Sequence, residues 1–231
     1  MDIIQTLAQQ LNLTAEQVGK TVQLIDEGNT IPFIARYRKE VTGSLDDSVL
    51  RTLDEKLTAL RNLAQRKQEV QDLIGAQGKL TEEVRAAIER AATVTEVDDI
   101  YRPFRPKRKT RASVARERGL EDLAILLFAQ EKSYTPSIEE QAARFVDPER
   151  EVPDVAAALQ GAMDIVAEEV SDNADYRREL RRLTFDAGSL TSKAAKEEDS
   201  VYAMYYDFSE PLRKLPGHRI LAINRGEKEE F

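Results

Sequence analysis

The sequence has no cysteine, no tryptophan and a single histidine, His218. Without a thiol there is no cysteine nucleophile, disulfide scaffold, zinc finger or iron–sulfur site. One histidine cannot build a multi-histidine metal centre, and only a carboxylate magnesium site stays open on composition. Ten Gly and eight Pro are too few for a loop-rich or low-complexity chain, and a 41% hydrophobic content is too high for wholesale disorder. Long apolar runs are missing as well. The longest, Leu123 to Ala129, falls far short of the ~20 residues that span a bilayer. The start, Met1-Asp2-Ile3-Ile4-Gln5, has neither the basic region nor the apolar run of a signal peptide. A soluble, cytoplasmic protein is expected.

What is present is helical periodicity. The 231 residues suit one large domain or two modest ones, at roughly 150 residues per domain, and can bury roughly 70–75% of their unfolded surface. Ile3, Ile4, Leu7 and Leu11 line one face of a first short helix. Thr14 with Gln17 forms a capping box for a second, striped by Val18, Val22 and Ile25 and ended by Gly28-Asn29. Ser44 with Asp47 repeats the capping pattern before the longest helix, expected over Leu45–Ile74. Its seam runs Leu50, Leu53, Leu57, Leu60, Ala64, then meets Lys67 and Gln71 while the apolar stripe moves to Leu63, Val70 and Ile74. Two heptads are fewer than the ~3–4 a coiled coil needs, so a long scaffold helix is expected. Further helices are predicted from Thr81, over Val114–Gln130, Ile138–Phe145, Val155–Val170 and Tyr176–Leu183. Val201–Phe208 reads as a helix capped by Asp199 or Ser200, or as an aromatic-rich strand. Hairpin dipeptides are absent. The fold class expected is all-α: a multi-helical scaffold with one long central helix and helix-turn-helix-like pairs. It is parsed as 1–75, as 76–150 with a basic loop at 102–118, and as 151–231 with the tail.

The strongest anomaly is Arg102 to Arg118. Arg102, Arg105, Lys107, Arg108, Lys109, Arg111, Arg116 and Arg118 stand there against one acid, Glu117, giving +7 in a chain of net −8. Backbone phosphates are the commonest partner of such a concentration. Pro103 and Pro106 bias Arg102 and Arg105 toward extended backbone. Ser113 is expected to cap the next helix, placing Arg116 and Arg118 in its first turn. Cations there oppose the helix dipole at a cost of roughly 0.3–1 kcal/mol each, which an anion at the free N–H groups would offset. These eight are the candidate nucleic-acid-binding residues. The competing reading is a solvated loop paired with the chain's own acids, such as Asp98, Asp99, Glu121 and Asp122.

Other constellations read as structure. The first two helices, joined by Asn12-Leu13, have helix-turn-helix spacing. The second carries Lys20 against Glu16, Asp26 and Glu27, the wrong sign for a phosphate-walled groove, so a plain helical pair is expected. Thr30–Glu40 reads as a packed helix with Pro32 at its start, Phe33, Ile34 and Tyr37 buried, and Arg36, Arg38 and Lys39 outside. Gly75-Ala76-Gln77-Gly78-Lys79-Leu80-Thr81 fails as a phosphate-binding loop, because its glycines are too close and Leu80 replaces the magnesium-binding hydroxyl. Asp46/Asp47, Asp98/Asp99 and Glu168/Glu169 look like helix starts and solvated faces rather than acid–base pairs. His218 has no evident nucleophile or orienting partner. No catalytic residue, metal ligand or cofactor is expected, and the chain is read as not an enzyme.

Three separated segments, Thr30–Gly43 (TIPFIARYRKEVTG), Asp99–Leu120 (DIYRPFRPKRKTRASVARERGL) and Tyr206–Glu229 (YDFSEPLRKLPGHRILAINRGEKE), give the chain a family resemblance. In this order they resemble the N-terminal part of the bacterial transcription accessory protein Tex family, with the likeness running from about Leu7 to the end. The family is similar in architecture to the core of a eukaryotic transcription elongation factor and histone chaperone. The resemblance implies a fragment holding the helical N-terminal region. A full-length member continues into an RNase-H-like domain, helix-hairpin-helix motifs and a C-terminal OB-fold RNA-binding domain, and the ending Glu229-Glu230-Phe231 fits truncation. Nucleic-acid affinity in the family is attributed largely to the OB-fold domain, so two functions stay open. One is a non-enzymatic scaffold making sequence-independent RNA or DNA phosphate contacts, with the transcription machinery and downstream domains as partners and no membrane. The other is an intramolecular or protein–protein docking module whose basic segment packs on acidic surface.

Overall fold

Asp2, Thr14, Asp46, Thr81 and Thr93 each place a side-chain oxygen on a backbone N–H one turn ahead, and each starts a helix. They punctuate the first of two compact units, Met1–Arg105 and Pro106–Phe231, in the computed structural model. Residues 2–106, 109–131, 136–196 and 198–231 are described. The expected boundaries at 75 and 150 fall at the end of the longest helix and of a 3-10 turn.

The first unit holds α1 (Ile3–Leu11), α2 (Ala15–Asp26), α3 (Ile31–Tyr37), α4 (Lys39–Thr42), α5 (Asp47–Ala76), α6 (Glu82–Arg90) and α7 (Val94–Tyr101). The Thr14–Gln17 capping box is present, both backbone-to-side-chain bonds at 3.1 Å. The expected Ser44–Asp47 box is not. Ser44 follows Gly43 at a left-handed φ of +63°, which turns the chain, and Asp46 caps α5 instead by accepting from the Val49 N–H at 2.9 Å. The long helix therefore starts later and runs further than expected, 30 residues or about 45 Å.

Three apolar clusters draw on α5, the first joining Leu50 to Leu24, Ile34 and Leu45. Leu53 and Leu57 pack with Leu7, Ala8 and Val18 of α1 and α2, while Leu63, Val70 and Ile74 pack with Ile88 of α6 and Val97 and Tyr101 of α7. Each fully buried leucine contributes about 1.5–3 kcal/mol relative to leaving it exposed. Where the leucine seam lapses, Lys67 and Gln71 are themselves buried and satisfied. Lys67 Nζ donates to the Glu89 carbonyl at 2.6 Å, in the last turn of α6 where carbonyls lack helical partners. Gln71 Nε2 donates to Glu89 Oε1 at 2.7 Å.

In α3 only Ile34 is fully buried, with Ile31, Phe33 and Ala35 partly so. The inward face is 31-34-35, which leaves Phe33 and Tyr37 on an adjacent side. Tyr37 is 61% exposed, contrary to its expected burial.

The second unit holds α8 (Arg111–Glu117), α9 (Glu121–Phe128), α10 (Ile138–Ala142), α11 (Val155–Asp172), α12 (Ala174–Ala187), β1 (Ser189–Lys193), β2 (Asp207–Pro211) and α13 (Gly217–Lys228). The single helix expected over Val114–Gln130 is two. Gly119, at φ +84°, sends its N–H to the Arg116 carbonyl (2.9 Å) while the Leu120 N–H reaches Ala115 (3.1 Å). That pair of bonds closes α8 as a Schellman motif, with Leu120 turned into the core. The core is rich in alanine (Ala112, Ala115, Ala124, Ala158 and Ala162). Gly161 lets the elements meet closely: a Cβ there would lie 2.4 Å from Leu120 Cδ1 and 3.3 Å from Ala115 Cβ.

Among the described residues the all-α expectation holds but for one two-stranded antiparallel sheet and an isolated bridge between Asp147 and Val152. β1 and β2 align Ser189 with Pro211, Thr191 with Ser209 and Lys193 with Asp207. The segment Val201–Phe208 is neither the helix nor the whole strand expected. It is a turn, a short 3-10 helix at Ala203–Tyr205, and the start of β2.

Candidate nucleic-acid interface

The run from Arg102 to Arg118 begins in the first unit and ends in the second, and its cations fall into distinct settings. At the first unit's end, Arg102 is helical (φ −52°, ψ −44°) within a 3-10 turn, Arg102–Phe104, despite the proline after it. Arg105 is extended as expected (φ −63°, ψ 137°). It pairs with Asp98 (3.3 Å) and lies over the Tyr101 ring (5.5 Å). Arg66 of α5 reaches the same carboxylate at 2.6 Å and lies over the same ring. Arg105 is thus one of two guanidiniums around a buried tyrosine. Lys107 and Arg108 lie outside the described residues.

In the second unit Thr110, not Ser113, caps α8: its hydroxyl accepts from the Ser113 N–H at 3.0 Å, and Ser113 Oγ returns the bond at 2.9 Å. The helix accordingly starts earlier, and Arg116 stands in its last turn with Arg118 as its C-cap. Cations there favour the dipole, the reverse of the opposition expected from a later start. Glu168 of α11 accepts from Thr110 Oγ1 at 3.0 Å and from Arg116 at 2.6 Å, so one carboxylate holds both ends of α8. Glu121 and Glu169 stand 3.6 and 3.8 Å from the same guanidinium. The hydrogen bond to Glu168 in particular holds Arg116 in its charged form beyond the ordinary arginine range. Arg118 bonds Glu151, and that guanidinium draws the Glu151 carboxyl below the usual glutamate value.

Lys109 and Arg111 differ from these. Their side chains are 73% and 86% exposed, and their acidic neighbours, Glu117 and Asp164, stand at 3.9 Å. Both rim a shallow groove between α8 and α11, with Gln160 and Asp164 on the opposite wall. An incoming phosphate oxygen can compete with contacts that long in water.

Sequence reasoning found the cations, and Asp98 and Glu121 among their partners. It missed Glu151, Asp164 and Glu168, and it placed Glu168 on a solvated face although that side chain is only 15% exposed. Asp99 is likewise buried rather than solvated. Among the described residues no group of three or more His, Asp or Glu comes together as for a metal ion, and no helix is long and apolar enough to cross a membrane.

Comparison with known proteins places these elements. Residues 1–75 match the Tex-like protein N-terminal domain, and residues 133–231 match the Tex central region-like family. Over 98% of its length the chain is 45% identical to Protein tex of Bordetella pertussis, covering 29% of that protein. It is 39% identical over 99% of its length to Transcriptional accessory protein Tex of Neisseria gonorrhoeae, covering 30% of it. It is also 30% identical over 98% of its length to S1 RNA-binding domain-containing protein 1 of Homo sapiens, covering 23%. The chain spans less than a third of the length of each of these relatives. With its N-terminal and central stretches each matched to Tex, and proteins named Tex aligned along nearly all of it, the chain belongs to the Tex family.

Proposed function

We propose that this chain is a non-enzymatic, nucleic-acid-binding scaffold of a cytoplasmic transcription accessory factor, touching RNA or DNA phosphates without reading sequence. The observation that carries this reading is the division within the basic run. Arg105, Arg116 and Arg118 are committed to carboxylates of their own unit, whereas Lys109 and Arg111 stand in solvent on a groove rim. Lys107 and Arg108 adjoin them in sequence, so the phosphate contact is assigned to Lys107–Arg111, and the helices around it serve as support. The relatives' names, transcriptional accessory and S1 RNA-binding, lend the reading its biological setting.

The test is fluorescence anisotropy with labelled single-stranded RNA and duplex DNA at about 50 and 200 mM salt. Engagement of about five phosphates of a single strand gives roughly a hundredfold loss of affinity across that range. Changing Lys107, Arg108 and Lys109 together to Glu is expected to weaken binding at least tenfold with thermal stability unchanged. Unaltered affinity would reject the assignment. The docking reading draws on one observation, the pairing of Arg105, Arg116 and Arg118 with acids. Binding to neither nucleic acid at low salt would favour it.

A further inference from the structure

Arg105, Lys109, Arg111, Arg116 and Arg118 of the basic run have acidic partners within reach, but the cations at the end of α3 do not. Arg36, Arg38 and Lys39 follow one another around the elbow between α3 and α4, and none makes an ion pair with a carboxylate among the described residues. Glu40, the acid nearest in sequence, is exposed and pairs with none of them. Beside them are two aromatic rings, Phe33 half-buried and Tyr37 exposed. Tyr37 is 61% exposed, its ring lies 5.3 Å from that of Phe33, and the Arg38 guanidinium sits over Phe33 at 5.1 Å. Arg38 also donates to the Tyr37 carbonyl at 3.0 Å, which fixes the elbow.

The exposed Tyr37 ring offers a face that a flat group can cover, and the two exposed cations beside it, Arg36 and Lys39, carry no carboxylate and can meet an anion. A single-stranded nucleic acid supplies both at the right spacing: a base to stack and phosphates on either side. A duplex keeps its bases stacked inside and offers only the phosphates. We infer that the α3–α4 elbow is a single-strand contact in which Tyr37 stacks on an unpaired base, Phe33 and Arg38 brace it from behind, and Arg36 and Lys39 meet the flanking phosphates. This rests on the nucleic-acid reading above but names a different surface, in the first unit.

The experiment measures binding of a labelled single-stranded RNA 12-mer and of a duplex DNA to the wild type, Tyr37→Ala, Tyr37→Phe and Arg36→Glu/Lys39→Glu. Loss of a stacking ring is expected to weaken single-strand binding about 5- to 150-fold. Tyr37→Phe keeps the ring and stays within twofold of wild type, and Tyr37→Ala leaves duplex binding unchanged. The double Glu variant weakens both ligands. Single-strand affinity within twofold for Tyr37→Ala overturns the elbow contact while leaving the basic-run assignment standing. Equal weakening of both ligands by Tyr37→Ala also overturns it, since stacking cannot act on a closed duplex. If Lys107→Glu/Arg108→Glu/Lys109→Glu leaves affinity intact while Tyr37→Ala reduces it, the elbow stands and the basic-run assignment falls. A wild type that binds neither ligand rejects both.

Discussion

Arg111 and Arg116 occupy the same short helix and carry the same charge, yet their surroundings give them opposite roles. Arg116 is two-thirds covered and held by Glu168, whereas Arg111 waves an exposed guanidinium past Asp164. Replacing Glu168 by Ala removes the acceptor shared by Thr110 and Arg116 and is expected to cost about 2 kcal/mol, read as a lower urea midpoint. Lys109→Ala, in solvent, is expected to change stability by less than about 0.5 kcal/mol. Equal effects of the two would mean that Glu168 does not clamp α8. The positions of the cations were legible in the sequence because charge density is local. Their division was not, since Glu151 and Glu168 lie 33 and 52 residues from the arginines they hold.

Helix starts were legible where a hydroxyl or carboxylate stood before an apolar stripe, as at Thr14 and Thr81. They were misplaced where two candidates competed. Ser44 and Ser113 both have the right chemistry, but Gly43 turns the chain before Ser44, and Thr110 reaches the free N–H groups before Ser113. The break at Gly119 was missed, although there a glycine follows three charged residues and precedes an apolar one, because the apolar run Leu123–Ala129 beyond it continued the helical pattern. β1 and β2 were hidden for a different reason: residues 194–206 join them, too long a connection for any two-residue turn signal. Packing in the second unit depends on small residues, and at Gly161 α11 comes close to Leu120 and Ala115. Gly161→Val is expected to destabilise by about 2–3 kcal/mol through overpacking against Leu120 and Ala115, measured by thermal or urea unfolding. A variant as stable as wild type would show that α11 can move aside.

Across the molecule, acids outnumber bases by 42 to 34, yet several acids are engaged in pairs that lower their carboxyl values. Asp26 is held down chiefly by its hydrogen bonds with Arg61, at 2.7 and 2.8 Å, Glu151 by Arg118 and Glu179 by Arg182. Because each folded-state value lies below the ordinary 3.8 for Asp or 4.5 for Glu, the stabilisation is fully present above that range. It is lost as pH falls through the lowered values. A urea midpoint constant from about pH 8 to 6 and declining below about pH 4.5 is expected, with the decline smaller in Asp26→Asn/Glu151→Gln. A midpoint rising on acidification would contradict the sign.

The first unit hangs on α5, and its leucines alone would not say where along that helix the neighbours belong. Leu50, Leu53, Leu57 and Leu60 recur at a spacing that looks the same after a slip of one heptad. Lys67 does not. Moved seven residues either way, its ammonium would leave the Glu89 carbonyl, and a leucine or isoleucine would face that oxygen with nothing to donate. One buried lysine therefore gives a repetitive helix a single address, as the one asymmetric tooth lets a key turn in only one lock.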